Sequence, residues 1–167
     1  PGHSALDGFI MDWAMTGDTR SRQMAKLQGE FFLRIRGGAW RIIANPVSGL
    51  SRMYLETGEK VYKDKADWIV ANYGQNHRLW DATGDSYFTY GSEAIRWYAL
   101  ISPQGKDILM KGVGKDAPKD AKFTNLGDIG LVWLLTRDPQ WAERAYAQGM
   151  GLVGASTVKK DKKRTPA

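Results

Sequence analysis

The sequence predicts an all-α fold of consecutive antiparallel helical hairpins. Three observations lead there. Apolar residues recur at i, i+3, i+4 and i+7, as in Leu6, Phe9, Ile10 and Trp13. Short Thr/Ser turns rich in Gly, Pro and Asp separate the periodic runs: Thr16-Gly17-Asp18, Thr57-Gly58-Glu59, Ser102-Pro103 and Thr136-Arg137-Asp138-Pro139. No strand alternation and no nucleotide-binding glycine loop stands out.

Four pairs follow in order. In the first, Gly17 supplies a left-handed C-terminal residue and Asp18 caps the return helix. That helix carries Met24, Leu27 and Phe31 as its core stripe, runs to about Arg34, and ends before Gly37-Gly38. The second pair is expected to open at Asn45-Pro46, because Asn caps well and Pro is tolerated at the first helical position. Val47, Leu50 and Tyr54 form its stripe, and Tyr62, Ala66, Ile69 and Tyr73 that of its return helix. A polar stretch, 74–86, precedes the third pair. Its helices are expected at 90–101, with Ile95, Tyr98 and Ala99 inward, and at 106–111, with a loop from 112 to 122. The fourth pair carries Ile129, Leu131, Val132, Leu134 and Leu135, then Trp141, Ala145, Tyr146 and Met150. The turns recur every 34 to 45 residues or so, within the range of helical repeats, but too irregularly for a strict tetratricopeptide or HEAT array.

Composition narrows the function classes. With 167 residues and 43% hydrophobic content the chain can build a core and is not disordered. No apolar run nears the roughly 20 residues of a membrane span. The absence of Cys excludes disulfides, zinc-thiolate sites and thiol catalysis. Part of the net charge of +6 lies in Lys159, Lys160, Lys162, Lys163 and Arg164, expected within a solvated, disordered basic tail over 154–167. A nucleic-acid or membrane partner is not expected. The opening Pro1-Gly2-His3-Ser4 is neither an initiator Met nor a signal sequence, so the natural N-terminus is expected upstream. Seven Trp and seven Tyr serve equally as core fillers or as platforms for the apolar face of a sugar ring.

The segments running from Ala5-Leu6-Asp7-Gly8-Phe9 to Thr16-Gly17-Asp18, and from Pro46-Val47-Ser48-Gly49-Leu50 to Thr57-Gly58-Glu59-Lys60-Val61-Tyr62, resemble the α/α-toroid carbohydrate-active enzymes. Gly2-His3-Ser4 looks like the His-containing entry of toroid domains in exo-type rhamnogalacturonan lyases and their relatives. The resemblance covers residues 1–153 and implies part of an α/α toroid, about four hairpins where such rings have six or seven. Missing segments of the same polypeptide, or self-association, would complete it. It further implies a secreted or periplasmic enzyme acting on a poly- or oligosaccharide. In such rings the first helix of each pair lines the inside, and the loops before those helices carry the chemistry. By position, that places His3, Asp7, Trp40, Arg41, Asn45, His77, Trp80, Asp81, Asp85, Tyr87, Tyr90, Asn125 and Asp128 near a site.

The residue types admit two chemistries. β-Elimination from a uronic acid needs a cation against the C6 carboxylate and a base for the α-proton. Arg41 or Arg78 would be the cation, and His77, Tyr87 or Tyr90 the base. Hydrolysis needs two carboxyl groups, for which Asp81, Asp85 and Glu93 are best placed and Asp7 is a further choice. The expected catalytic set is His77, Tyr90, Arg41, His3 and Asp81, with Trp40, Arg78, Trp80, Asn45 and Tyr87 binding substrate. The bland readings stand beside these: His3 as a frayed end, and the His77 cluster as a solvated loop anchored by Trp80. No cofactor is predicted, and no His/Asp spacing supports a divalent cation. A lyase acting on acidic glycans leads. A hydrolase of the same architecture, or a non-catalytic helical-repeat scaffold, is the alternative.

Overall fold

Three turns of one pattern organise the chain in a computed structural model, which describes the backbone of residues 6–37, 40–74, 88–114 and 126–161. The threonine hydroxyl donates back to the carbonyl four residues earlier: Thr16 to Asp12 (2.6 Å), Thr57 to Met53 (2.6 Å) and Thr136 to Val132 (2.8 Å). The same oxygen accepts the amide two residues on, from Asp18, Glu59 and Asp138. The residue between is left-handed: Gly17 at φ 73°, Gly58 at 69° and Arg137 at 57°. Its amide closes the helix on the carbonyl of Trp13, Tyr54 or Trp133. Arg137 adopts without a glycine's freedom what costs an L-residue about 1–2 kcal/mol. The acid then starts the next helix. Asp18 accepts from the amides of Arg20 and Ser21, and Asp138 from Gln140, whereas Glu59 makes no side-chain cap and pairs with Lys26 at 3.6 Å.

The all-α prediction is met: among the described residues there are helices and no strand. They are α1 (Leu6–Thr16), α2 (Thr19–Leu33), α3 (Trp40–Thr57), α4 (Lys60–Ile69) with a π-helical turn over Val70–Gly74, α5 (Phe88–Ile101), α6 (Pro103–Gly114), α7 (Leu126–Thr136) and α8 (Pro139–Asp161). The chain forms two compact units, residues 1–117 and 118–167. In the first, α3 is central, packed on α1, α2, α4 and α5, while α6 folds back along α5. Its core holds Leu6, Ile10, Phe32, Ile43, Leu50, Met53, Ile69 and Tyr98. The second unit is the hairpin of α7 and α8, with Ile129 and Val132 buried. The α8 backbone stays helical to Asp161, into the segment expected as a tail.

Several expectations are corrected. Helix α3 starts at Trp40, not Asn45, and takes Pro46 into its interior. Pro46 leaves the Ile42 carbonyl without its helical donor, but burial of Ile43 and Ala44 carries the helix across it. Helix α6 starts at Pro103, so Ser102 alone joins it to α5. Gly105 permits this, since a Cβ there would fall 2.7 Å from the Tyr98 backbone. The expected stripe of α2 is not its core face. Met24, Leu27 and Phe31 are 45, 58 and 47% exposed, and Ala25, Gly29 and Phe32 are buried instead. The small residues decide this, because Gly29 sits so close to Tyr62 that a Cβ would lie 3.1 Å from its ring.

The end of α2 is locked by α4. Lys65 Nζ donates to the Ile35 carbonyl at 2.7 Å, and the Tyr73 hydroxyl donates to that of Arg36. Lys65 also lies 3.8 Å over the Trp68 ring. These donors pair the carbonyls of the segment that follows the helix end.

Two glycine-to-alanine substitutions should act with opposite sign. A Cβ at Gly49 would lie 2.5 Å from Leu6 and 2.6 Å from Phe32, whereas at Gly8 it would meet nothing within 4 Å. Gly49→Ala is expected to destabilise by about 1–3 kcal/mol through overpacking. Gly8→Ala should stabilise by about 0.5–1 kcal/mol through helix propensity. Denaturant midpoints check both.

Candidate functional site

A buried arginine marks the place where α1, α3 and α5 meet. Arg52 falls in an apolar stretch of α3 and is only 8% exposed. A buried cation needs a partner. It has two. Its Nη1 lies 2.6 Å from the Asp7 carboxylate, and its guanidinium sits 4.5 Å from the centre of the Trp97 ring. Asp7 belongs to the first turn of α1, where the helix dipole favours a negative charge. Trp97 belongs to α5 and is half-buried.

Glu93 stands one turn before Trp97, on the surface of α5. Its carboxyl is held above the ordinary glutamate range. Partial burial is the largest cause; the Asp7 charge and a hydrogen bond to Asp7 add to it, and Arg96 and Arg52 oppose it. Asp7 therefore favours the protonated form of Glu93, which can donate to it. Asp7 and Glu93 thus lie in the neighbourhood of two arginines, Arg52 and Arg96. Such a group can deliver a proton to a leaving oxygen and attract an anionic substrate, beside an aromatic ring suited to a sugar face.

The structure brings few of the expected site residues into view. His3, His77, Arg78, Trp80, Asp81 and Tyr87 lie outside the described residues, as do Asp85 and Asn125. Trp40 and Arg41 open α3, and Tyr90 lies one turn before Glu93 along α5; their side chains are outside the described set. Asn45 is half-buried on α3, seven residues before Arg52 and so on the same helix face. Asp7 and Glu93, weighed from sequence only as carboxylates for hydrolysis, come together. Arg52, Arg96 and Trp97 were not anticipated. The available signal was the position of Arg52, a charge within Leu50-Ser51-Arg52-Met53, where three neighbours face the core.

A second polar network lies between α4, α5 and α6. The Tyr98 hydroxyl donates to Asp67 at 2.7 Å, and Asp67 also takes Lys63 at 2.6 Å. Burial, chiefly, pushes the Tyr98 phenol up, so it stays a neutral donor, and the network reads as an internal tie. Among the described residues no three His, Cys, Asp or Glu side chains converge on a metal position, and no helix is long and apolar enough to cross a membrane. No protein family, curated protein or solved structure matches the chain.

The pH dependence of stability should report the carboxyl pair. Glu93 is raised in the folded state, so its contribution is fully present below the unfolded glutamate value, about 4.3, and is lost as pH rises through the folded value. Glu93→Gln keeps a donor toward Asp7 at every pH. Relative to wild type, its melting temperature should therefore gain as pH rises above the unfolded glutamate value, about 4.3. A difference that does not vary with pH would dissolve the pair.

Proposed function

We propose that the chain is a section of a polysaccharide-degrading enzyme acting on acidic glycans by β-elimination, with Glu93 as its proton donor. The observation that carries this reading is the Asp7–Glu93 pair beside Arg52, Arg96 and Trp97. Elimination leaves electrons on the departing glycosidic oxygen, and a carboxyl held above the ordinary glutamate range is suited to quench them. Arg52 and Arg96 would offset the substrate carboxylate and acidify the α-proton. Tyr90 or His77 remains the proposed base. That α1, α3 and α5, the first helices of their pairs, meet at this point supports the arrangement expected of a toroid's inner layer.

The same geometry weighs against hydrolysis by this pair. Glycosidase carboxyls stand about 5 Å apart or more, on opposite sides of the scissile bond. Asp7 and Glu93 are hydrogen-bonded to each other and so leave no room for the sugar between them. A hydrolase would have to recruit another acid, such as Asp81.

Incubation with pectic and other acidic polysaccharides should raise the ultraviolet absorbance of an unsaturated uronide. Glu93→Gln should slow that rise by about a hundredfold or more. New reducing ends without absorbance would mean hydrolysis. Neither product would overturn the enzyme reading in favour of a binding scaffold.

A further inference from the structure

The exposed face of α2 is a seam rather than a scatter. Arg20, Met24, Leu27, Phe31 and Arg34 follow one another at intervals of four, three, four and three residues. This is the spacing that keeps a helix facing a partner helix along its length. All five are exposed, and the three apolar members are 45, 58 and 47% exposed although α2 is packed elsewhere on α1, α3 and α4. The helix is well held from behind: Asp18 caps its start, and Lys65 and Tyr73 fasten the segment after its end. It is therefore a stiff platform about 21 Å long from Arg20 to Arg34.

The charges select the occupant. The seam ends in arginine on both sides, so a second copy of α2, parallel or antiparallel, would place arginine against arginine. On α2 itself the positions flanking the seam include Gln23 and Gln28 and one charge, Glu30; beside the Arg20 end stand the Asp12 and Asp18 carboxylates, held by the Ser21 hydroxyl and the Arg20 amide, so the guanidinium groups are the charges on the seam line itself. We infer that α2 is a docking site for an amphipathic helix of a partner protein, one with apolar residues in the middle of its seam and an acidic residue at each end. Met24, Leu27 and Phe31 supply the apolar contact, and Arg20 and Arg34 set the register. The inference does not depend on the glycan reading.

The test uses two synthetic helical peptides with the same leucine seam, one bearing glutamate and the other lysine at both seam ends. Binding to the full chain is read by fluorescence anisotropy. The glutamate peptide should bind at least about tenfold more tightly than the lysine peptide, and Leu27→Glu should cost it about tenfold or more. The double variant Arg20→Glu, Arg34→Glu should reverse the preference. Circular dichroism of each variant should match wild type, since the changed side chains are exposed. Equal binding of both peptides, or binding indifferent to Leu27→Glu, would overturn the inference. So would a dimer in sedimentation that Leu27→Glu abolishes, because the face would then belong to a second copy.

Discussion

The burial of one guanidinium constrains the first unit more than any other single feature. Arg52 lies in the central helix among residues that face the core, and an ion so placed costs several kcal/mol unless it is matched. Asp7 supplies the charge from α1 and Trp97 the ring from α5. Three helices far apart in sequence are thereby held at one point. The proximity of Glu93 to Asp7 follows from this, since both carboxyl-bearing helices are drawn to the same cation. The raised glutamate is a consequence of the packing rather than a separate device.

Small residues set the rest of the architecture. Gly49 lets Leu6 and Phe32 close on α3, Gly29 admits the Tyr62 ring, and Gly105 lets α6 turn back directly onto Tyr98. Each allows an approach that a methyl group would obstruct. On α2 the same economy has a second effect. Ala25 and Gly29 take the buried face, and Met24, Leu27 and Phe31 are turned outward. The close packing of the hairpin and the apolar seam on its outside have one cause.

The helices and turns were legible in the sequence because their signals are local. A threonine, a glycine and an acid in succession specify a helix stop, a left-handed residue and a new helix start within three residues; the turns after Thr16 and Thr57 both follow it, although only Asp18 caps with its side chain. Faces were harder. Helix α2 carries two apolar stripes, and periodicity alone ranks the larger side chains first, whereas packing chose the smaller. The start of α3 was misplaced because Pro46 has a local preference for the first turn that burial of Ile43 overrides. The site was least legible. Asp7, Arg52 and Glu93 are separated by about 40 residues at each step, and nothing local announces that they meet. The polar stretch around His77 drew attention through its composition, which says nothing about convergence.

The central claim is that Arg52 gathers Asp7 and Glu93 into one interacting pair. An NMR titration of the Glu93 side-chain carboxyl, in wild type and in Asp7→Asn, tests it most directly. The account predicts that Glu93 titrates above the ordinary glutamate range in wild type and moves back toward it when the Asp7 charge is removed. A Glu93 carboxyl that titrates as an ordinary glutamate in both proteins would contradict it.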